Sequence, residues 1–235
     1  MLLINSRVNL ALSSELKDLL TGTELTIQIN KNQFLFQQGE DVNEVYIIQS
    51  GTIQIGKSSP DGRELTLRIC KKGDIIGELA VYSDNVKYLL NAKAMEDSQV
   101  VIIKKHYLEE KLLHNPQLAM EFMKAMSDNF RREQTKIRDL VMNGKKGALY
   151  STLIRLSNSY GIELTNGILI DIMLTNQEIA NFCGTSRESV NRMLSDLKRE
   201  KIIDTQHNKI IIYNLQHLKD EINCENCPIV LCSID

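Results

Sequence analysis

The sequence predicts an α+β chain with a small all-β unit, one long helix, and a winged helix-turn-helix that carries a cysteine-rich tail. Three observations predict it. Short apolar strands punctuated by glycines fill roughly residues 25–103, helical periodicity takes over after Pro116, and helix starts of the form Thr-x-x-Glu occur at Thr175 and Thr185. A chain of 235 residues can fold as two domains with a core each. With 43% hydrophobic and 25% charged residues, the composition is that of a globular protein. No apolar run reaches the ~20 residues that a membrane span needs, and Met1–Leu12 lacks a basic segment leading to a small-residue cleavage site. The expectation is a cytoplasmic protein that stays off the membrane.

The all-β unit is read over residues 1–115. Glu44–Gln49 and Thr52–Ile55 flank Ser50-Gly51 as a hairpin, Glu64–Ile69 alternates after Ser59-Pro-Asp-Gly62, and Gln99–Ile103 closes the series. Many short strands at this spacing suggest a small barrel or sandwich. The long helix covers 116–143. Its apolar residues Ala119, Phe122, Met123, Met126, Phe130, Ile137, Leu140 and Val141 recur at spacings of three and four, and Asn143-Gly144 ends it. With no antiparallel partner nearby in sequence, such a seam points to a homodimer, against the plainer reading that it packs on its own barrel.

Residues 144–216 read as a second compact unit, with a helix around Lys146–Tyr160, a β segment at Ile168–Leu174, two short helices, and a strand at Lys209–Tyr213. Both Thr-x-x-Glu patterns look like capping boxes, and Phe182-Cys183-Gly184 makes the turn between them. The second helix then buries Val190, Met193, Leu194 and Leu197 and exposes Glu188, Asn191, Arg192 and Ser195. In a helix-turn-helix that face enters the major groove of double-stranded DNA. Arg187 and Arg192 suit guanine, and Glu188 can accept from cytosine N4. Thr175, Ser186 and Asn191 complete the candidate DNA contacts. Glu188 could instead serve only as the capping partner of Thr185. The β-turn-β that follows, Ile202-Ile203 through Gln206-His-Asn208 to Ile210–Ile212, is the wing that favours DNA binding. Residues 144–216 carry nine basic against seven acidic residues, a balance that permits DNA binding without demanding it.

The tail, 217–235, holds three of the five cysteines in Cys224-Glu-Asn-Cys-Pro-Ile-Val-Leu-Cys232. Thiolates at this spacing can ligate an iron–sulfur cluster, a zinc with one further ligand, or simply pack together. Cys70 and Cys183 stand apart and read as small buried residues.

The order of parts, together with Gly73-Asp-Ile-Ile-Gly-Glu-Leu79 and Thr185-Ser-Arg-Glu-Ser-Val-Asn-Arg192, resembles the Crp/Fnr family of transcription regulators along nearly the whole chain. Lys136–Leu140, Lys145–Leu156 and the cysteine-rich end resemble its Fnr-type anaerobic branch in the bacilli. The resemblance implies that the β unit is a cyclic-nucleotide-binding-like β-roll. Members that take cyclic AMP use an Arg-Ser pair after Gly-Glu-Leu. The comparable stretch here, Asp84–Asn91, has none, so no cyclic nucleotide is expected. His106 and His114 sit in no haem motif. For the tail the resemblance implies a [4Fe–4S] cluster on Cys224, Cys227 and Cys232, with Asp139 as fourth ligand, in an oxygen-responsive regulator of anaerobic genes. It implies a homodimer on a TGTGA-N6-TCACA-like palindrome, with Arg187, Glu188 and Arg192 in the family's reading pattern, and RNA polymerase as partner. A regulator with structural zinc is the nearest alternative. An iron–sulfur enzyme is a remote one, because no catalytic constellation accompanies the cysteines.

Overall fold

The computed structural model describes residues 25–234. The first 24 residues, which the predicted 1–115 unit includes, and Asp235 lie outside them. Two units gather the described residues: 25–59 with 67–130, and 60–66 with 131–234.

Residues 25–104 form two four-stranded sheets. Strands β1 (Leu25–Ile29), β3 (Glu44–Ser50), β6 (Ile75–Ile76) and β8 (Ser98–Lys104) form one, in the order β1-β8-β3-β6. Strands β2 (Phe34–Phe36), β4 (Ile53–Ser58), β5 (Glu64–Cys70) and β7 (Asn91–Ala94) form the other, in the order β2-β7-β4-β5. The expected hairpin at Ser50-Gly51 is not made, because β3 and β4 belong to different sheets. Gly51 explains the departure. Its φ is +86°, and a Cβ there would lie 2.2 Å from Ser98 Oγ, which itself accepts a hydrogen bond from Thr52 N at 3.1 Å. Held against Ser98, the chain turns a corner into the second sheet instead of folding back along β3. Strand β3 is buried on both faces from Val45 to Ile48. Tyr46 and Ile48 join the core between the sheets, with Phe36, Ile53 and Tyr88, whereas Val45 and Ile47 join a second core under the helices.

That second core is capped by α1 (Lys105–His114), which the sequence reading does not anticipate, and by the first turns of α2 (Pro116–Met142). Leu118 and Phe122 are buried in it, and Ala119 and Met126 are half-buried against it. The seam read from the sequence is therefore two faces. Met120, Met123, Phe130, Ile137 and Val141 stay exposed on the other, three and four residues apart across the polar Ser127 and Gln134. Helix α2 stops where predicted, with Gly144 at φ +59°.

In the second unit α3 (Gly144–Tyr160) is buried along most of its length. It is followed by β9 (Gly161–Leu164) and β10 (Gly167–Ile170), so the β segment expected at Ile168–Leu174 is shorter and forms a hairpin with β9. Next come α4 (Asn176–Cys183), α5 (Arg187–Arg199), β11 (Ile203–Gln206), β12 (Lys209–Ile212) and α6 (Leu215–Glu221). The strands form one sheet in the order β11-β12-β10-β9. His207 and Asn208, at φ +50° and +61°, make the tight turn of the wing. No described helix is long and apolar enough to cross a membrane.

Candidate DNA interface and cysteine site

Helix α4 begins with a true capping box. Thr175 accepts from Glu178 N, and the Glu178 carboxylate accepts from Thr175 N at 2.6 Å. Gly184, at φ +58°, ends the helix, and Thr185 N closes the turn by donating to Ala180 O at 3.1 Å. That turn draws Thr185 inward. Its hydroxyl is buried without a hydrogen-bond partner among the described residues, and Ser186 caps α5 in its place, accepting from Ser189 N at 3.3 Å. The second capping box is therefore not formed. Glu188 becomes the second residue of α5, one short of the position a box requires, and its carboxylate lies fully exposed. Its own backbone N–H and Ser186 hold that carboxylate below its ordinary pKa, so it is an acceptor at neutral pH.

Arg187, Glu188, Asn191 and Arg192 all lie exposed on α5. Val190, Leu194 and Leu197 are buried beneath them, and Met193 is half-buried. Asn191 Oδ1 accepts from Asn176 Nδ2, which ties the outer face of α5 to the first turn of α4. Thr175 and Ser186 stand at the two helix starts with their hydroxyls engaged in the caps. The surface thus offers two arginines, one carboxylate and one amide on the N-terminal half of a helix braced by its neighbour.

The cysteine site is built on α2 and α3. Cys224, Cys227 and Cys232 are half-buried, and with Asp139, Arg138, Ser151 and Arg155 they line one cavity of about 320 Å³. Asp139, which the family resemblance implies as the partner of these cysteines, lines the same cavity. Among the described residues no three His, Cys, Asp or Glu side chains stand close enough to share a single metal ion. Burial pushes the Cys232 thiol above its ordinary pKa. Arg155 opposes that shift, while Cys224, Asp139 and Cys227 add to it. Cys70 and Cys183 lie buried elsewhere. Burial raises the Cys183 thiol to about 11, and its Sγ lies 3.5 Å from Thr152 Oγ1.

Asp139 is buried and carries three partners. Its Oδ2 accepts from Ser151 Oγ at 2.7 Å and Arg155 Nη2 at 2.9 Å, and its Oδ1 from Arg138 Nη2 at 2.8 Å. Burial alone would raise its pKa, yet Arg155, Ser151 and Arg138 together hold the carboxyl below its ordinary value. Arg155 is the residue that sequence reasoning missed. Only 2% of its side chain is exposed, and besides Asp139 it donates to Leu231 O at 3.1 Å and Thr135 Oγ1 at 3.1 Å. Arg132 Nε reaches Val230 O, Asn158 Nδ2 reaches Cys232 O, and Ser159 Oγ accepts from Ile234 N. The end of the tail is thereby strapped across α2 and α3. The neighbours of Arg155 on the helix face, Ser151, Thr152, Asn158 and Ser159, are all polar, so the sequence pattern does not mark it as buried.

Residues 26–115 match the family described as Cyclic nucleotide-binding domain, and residues 147–221 match the Crp-like helix-turn-helix domain. Over 225 residues the chain is 52% identical to the "Anaerobic regulatory protein" of Bacillus subtilis (strain 168), which covers 95% of this chain and 94% of that one. The chain belongs to the Crp/Fnr family. It is a DNA-binding transcription regulator of that family, close to an anaerobic regulatory protein. A second relative is the "Lactate racemization regulatory protein" of Lactiplantibacillus plantarum, 32% identical over 84% of this chain and 90% of that one. Among solved structures, a CooA mutant from Carboxydothermus hydrogenoformans superposes with a TM-score of 0.74 at 22% identity, covering 89% of this chain and 90% of that one. FixK2 from Bradyrhizobium japonicum superposes with a TM-score of 0.70 at 19% identity, over 84% of this chain and 96% of that one. These two share the Crp/Fnr fold.

The roll carries the family's Gly-Glu-Leu motif in a particular state. Gly77 has φ +89°, and a Cβ there would come within 3.1 Å of Glu44 O. Glu78 is buried, accepting from Arg68 Nη2 at 2.6 Å and Asn129 Nδ2 at 3.4 Å. Lys87, the charge nearest the missing Arg-Ser pair, is mostly exposed. It donates to Gly39 O at 3.1 Å and pairs with Asp41 at 3.6 Å.

Proposed function

We propose that this Crp/Fnr regulator responds to oxygen through a [4Fe–4S] cluster held by Cys224, Cys227, Cys232 and Asp139. The reading rests on the cavity that Asp139, from α2, shares with the three clustered cysteines of the tail: three soft thiolates and one harder carboxylate, one ligand for each iron. When bound, the cluster supplies an oxygen-labile tie between the tail and the C-terminal end of α2. The chain's own residues do the rest. Arg132, Thr135, Arg155 and Asn158 hold the tail's carbonyls against α2 and α3, and Ser151 and Arg155 fix the carboxylate of Asp139. A homodimer along Met120, Met123, Phe130, Ile137 and Val141 would set two copies of α5 about one DNA turn apart, on a TGTGA-N6-TCACA-like palindrome. Arg187, Glu188, Asn191 and Arg192 would read bases from α5, with Thr175 and Ser186 at the helix starts and RNA polymerase as the further partner. The roll takes no cyclic nucleotide in this reading, since Glu78 is engaged by Arg68 and Asn129 and Lys87 points to the surface.

Iron and sulfide content after anaerobic reconstitution tests the site. Cys224→Ser, Cys227→Ser, Cys232→Ser and Asp139→Ala should each lose cluster, whereas Cys70→Ser and Cys183→Ser should keep it. Colourless wild-type protein with one zinc per chain would replace the cluster by a structural metal. A full cluster in Asp139→Ala with loss in Cys183→Ser would move the fourth position to Cys183.

A further inference from the structure

The two arginines on Asp139 differ in kind. Arg155 is buried and holds Oδ2 together with Ser151, on the side of the carboxylate that faces α3. Arg138 is 35% exposed and holds Oδ1 through both Nε, at 3.1 Å, and Nη2, at 2.8 Å. The remaining arm of its guanidinium, Nη1, pairs with Glu225, inside the cysteine loop, and Arg138 lines the same cavity as Cys227. Arg138 thus ties Asp139 to the loop between Cys224 and Cys227. It does so with the planar fork that suits a carboxylate.

We propose that Arg138 is a latch on the cluster-free ligand loop, which competes with iron for Asp139 Oδ1 while Ser151 and Arg155 keep Oδ2 in place. This rests on the [4Fe–4S] reading above and adds a positioning residue to it. With Oδ2 anchored from the α3 side, Oδ1 is the oxygen available to a ligand in the cavity. Nε and Nη2 together take up both lone pairs of Oδ1, so a metal on that oxygen has to displace at least one of them. Cluster assembly therefore requires Arg138 to let go. After cluster loss the same arginine recaptures Asp139 and draws the loop closed by Glu225, so reassembly is opposed. The two arginines act with opposite sign on one carboxylate, which a general attraction of cations for an anionic site does not produce.

The test uses the full-length protein with Arg138→Gln and Arg138→Lys. In cluster-free protein, alkylation of Cys227 by iodoacetamide should be roughly fivefold faster in Arg138→Gln, the size expected when a half-exposed forked ion pair is lost. After anaerobic reconstitution, Arg138→Gln should reach full iron and sulfide content and bleach more slowly than wild type in air, by a similar factor. Arg138→Lys, which keeps the charge without the fork, should follow Arg138→Gln. Unchanged alkylation in Arg138→Gln would overturn the latch. So would faster bleaching or lower iron in that variant, which would make Arg138 a charge-neutralising support, and so would wild-type behaviour of Arg138→Lys. If wild-type protein takes up no iron and sulfide at all, it is the cluster reading that fails, and the alkylation measurement still decides the latch.

Discussion

Replacing Arg155 by Met isolates the buried ion pair that underlies the tail. The side chains of Arg155 and Asp139 are 2% and 8% exposed, so neither can recover water when its partner goes. Met fills most of the volume, but it leaves Asp139 Oδ2 with Ser151 alone and removes one of the two donors to Leu231 O, the other being Thr135 Oγ1. Breaking a buried pair from one side costs about 3–5 kcal/mol, a large part of the ~5–15 kcal/mol that holds a typical domain together. In urea, at ~2 kcal/mol per molar, the transition of the tail-bearing unit should fall by roughly 2 M, followed by circular dichroism on cluster-free protein. The cost is that of a buried carboxylate stripped of its buried counter-ion, with only Ser151 and the partly exposed Arg138 left on it, so the double variant Arg155→Met/Asp139→Leu should recover most of the lost stability. A midpoint for Arg155→Met within about 0.5 M of wild type would refute the reasoning. So would a double variant less stable than the single one, because the energetic weight would then lie in the tail's backbone contacts.

Three further outcomes follow from the same geometry. Burial lowers Lys136 to about 8 from 10.5, against the pull of Glu133, so between those values the unfolded chain holds the extra proton and stability rises with pH. Wild type should gain up to about 1.4 kcal/mol per pH unit over that window relative to Lys136→Met, measured by denaturant titration, and a flat difference would contradict the shift. Arg192→Ala should weaken binding to a TGTGA-type half-site by about 1–3 kcal/mol, and Glu188→Ala should relax discrimination at the facing cytosine, both read by competitive gel retardation. Equal losses on scrambled DNA would reduce both residues to phosphate contacts. Ile137→Asp, on the exposed face of α2, should shift sedimentation from dimer to monomer, and an unchanged dimer would place the interface elsewhere.

The order of elements was legible because the periodicities are clean and the breakers are local. Gly144 and Gly184 end helices where their left-handed conformations are needed, and His207-Asn208 turns the wing as an isolated dipeptide would. What failed was set by packing at long range. Nothing near Gly51 announces Ser98, so an alternating pattern on both sides of it reads as one hairpin when it is two sheets. The seam of α2 reads as a single stripe because spacing does not tell an inner face from an outer one. The start of α5 slipped by one residue, since the Ala180 carbonyl takes Thr185 into the preceding turn. At the cysteine site the thiols were legible from C-x2-C-x4-C alone, and Asp139 only through the family resemblance. Arg155 was not legible, because its partners span Thr135 to Leu231 and meet only in the folded chain.

In the proposed mechanism, specific DNA binding depends on a cluster in the tail. That dependence is tested most directly by measuring affinity for a TGTGA-N6-TCACA duplex and iron content on one anaerobically reconstituted sample as air is admitted. Specific affinity should fall in step with iron and sulfide, and Cys227→Ser should start at the air-exposed level. Specific binding that persists after the iron has gone would contradict the mechanism.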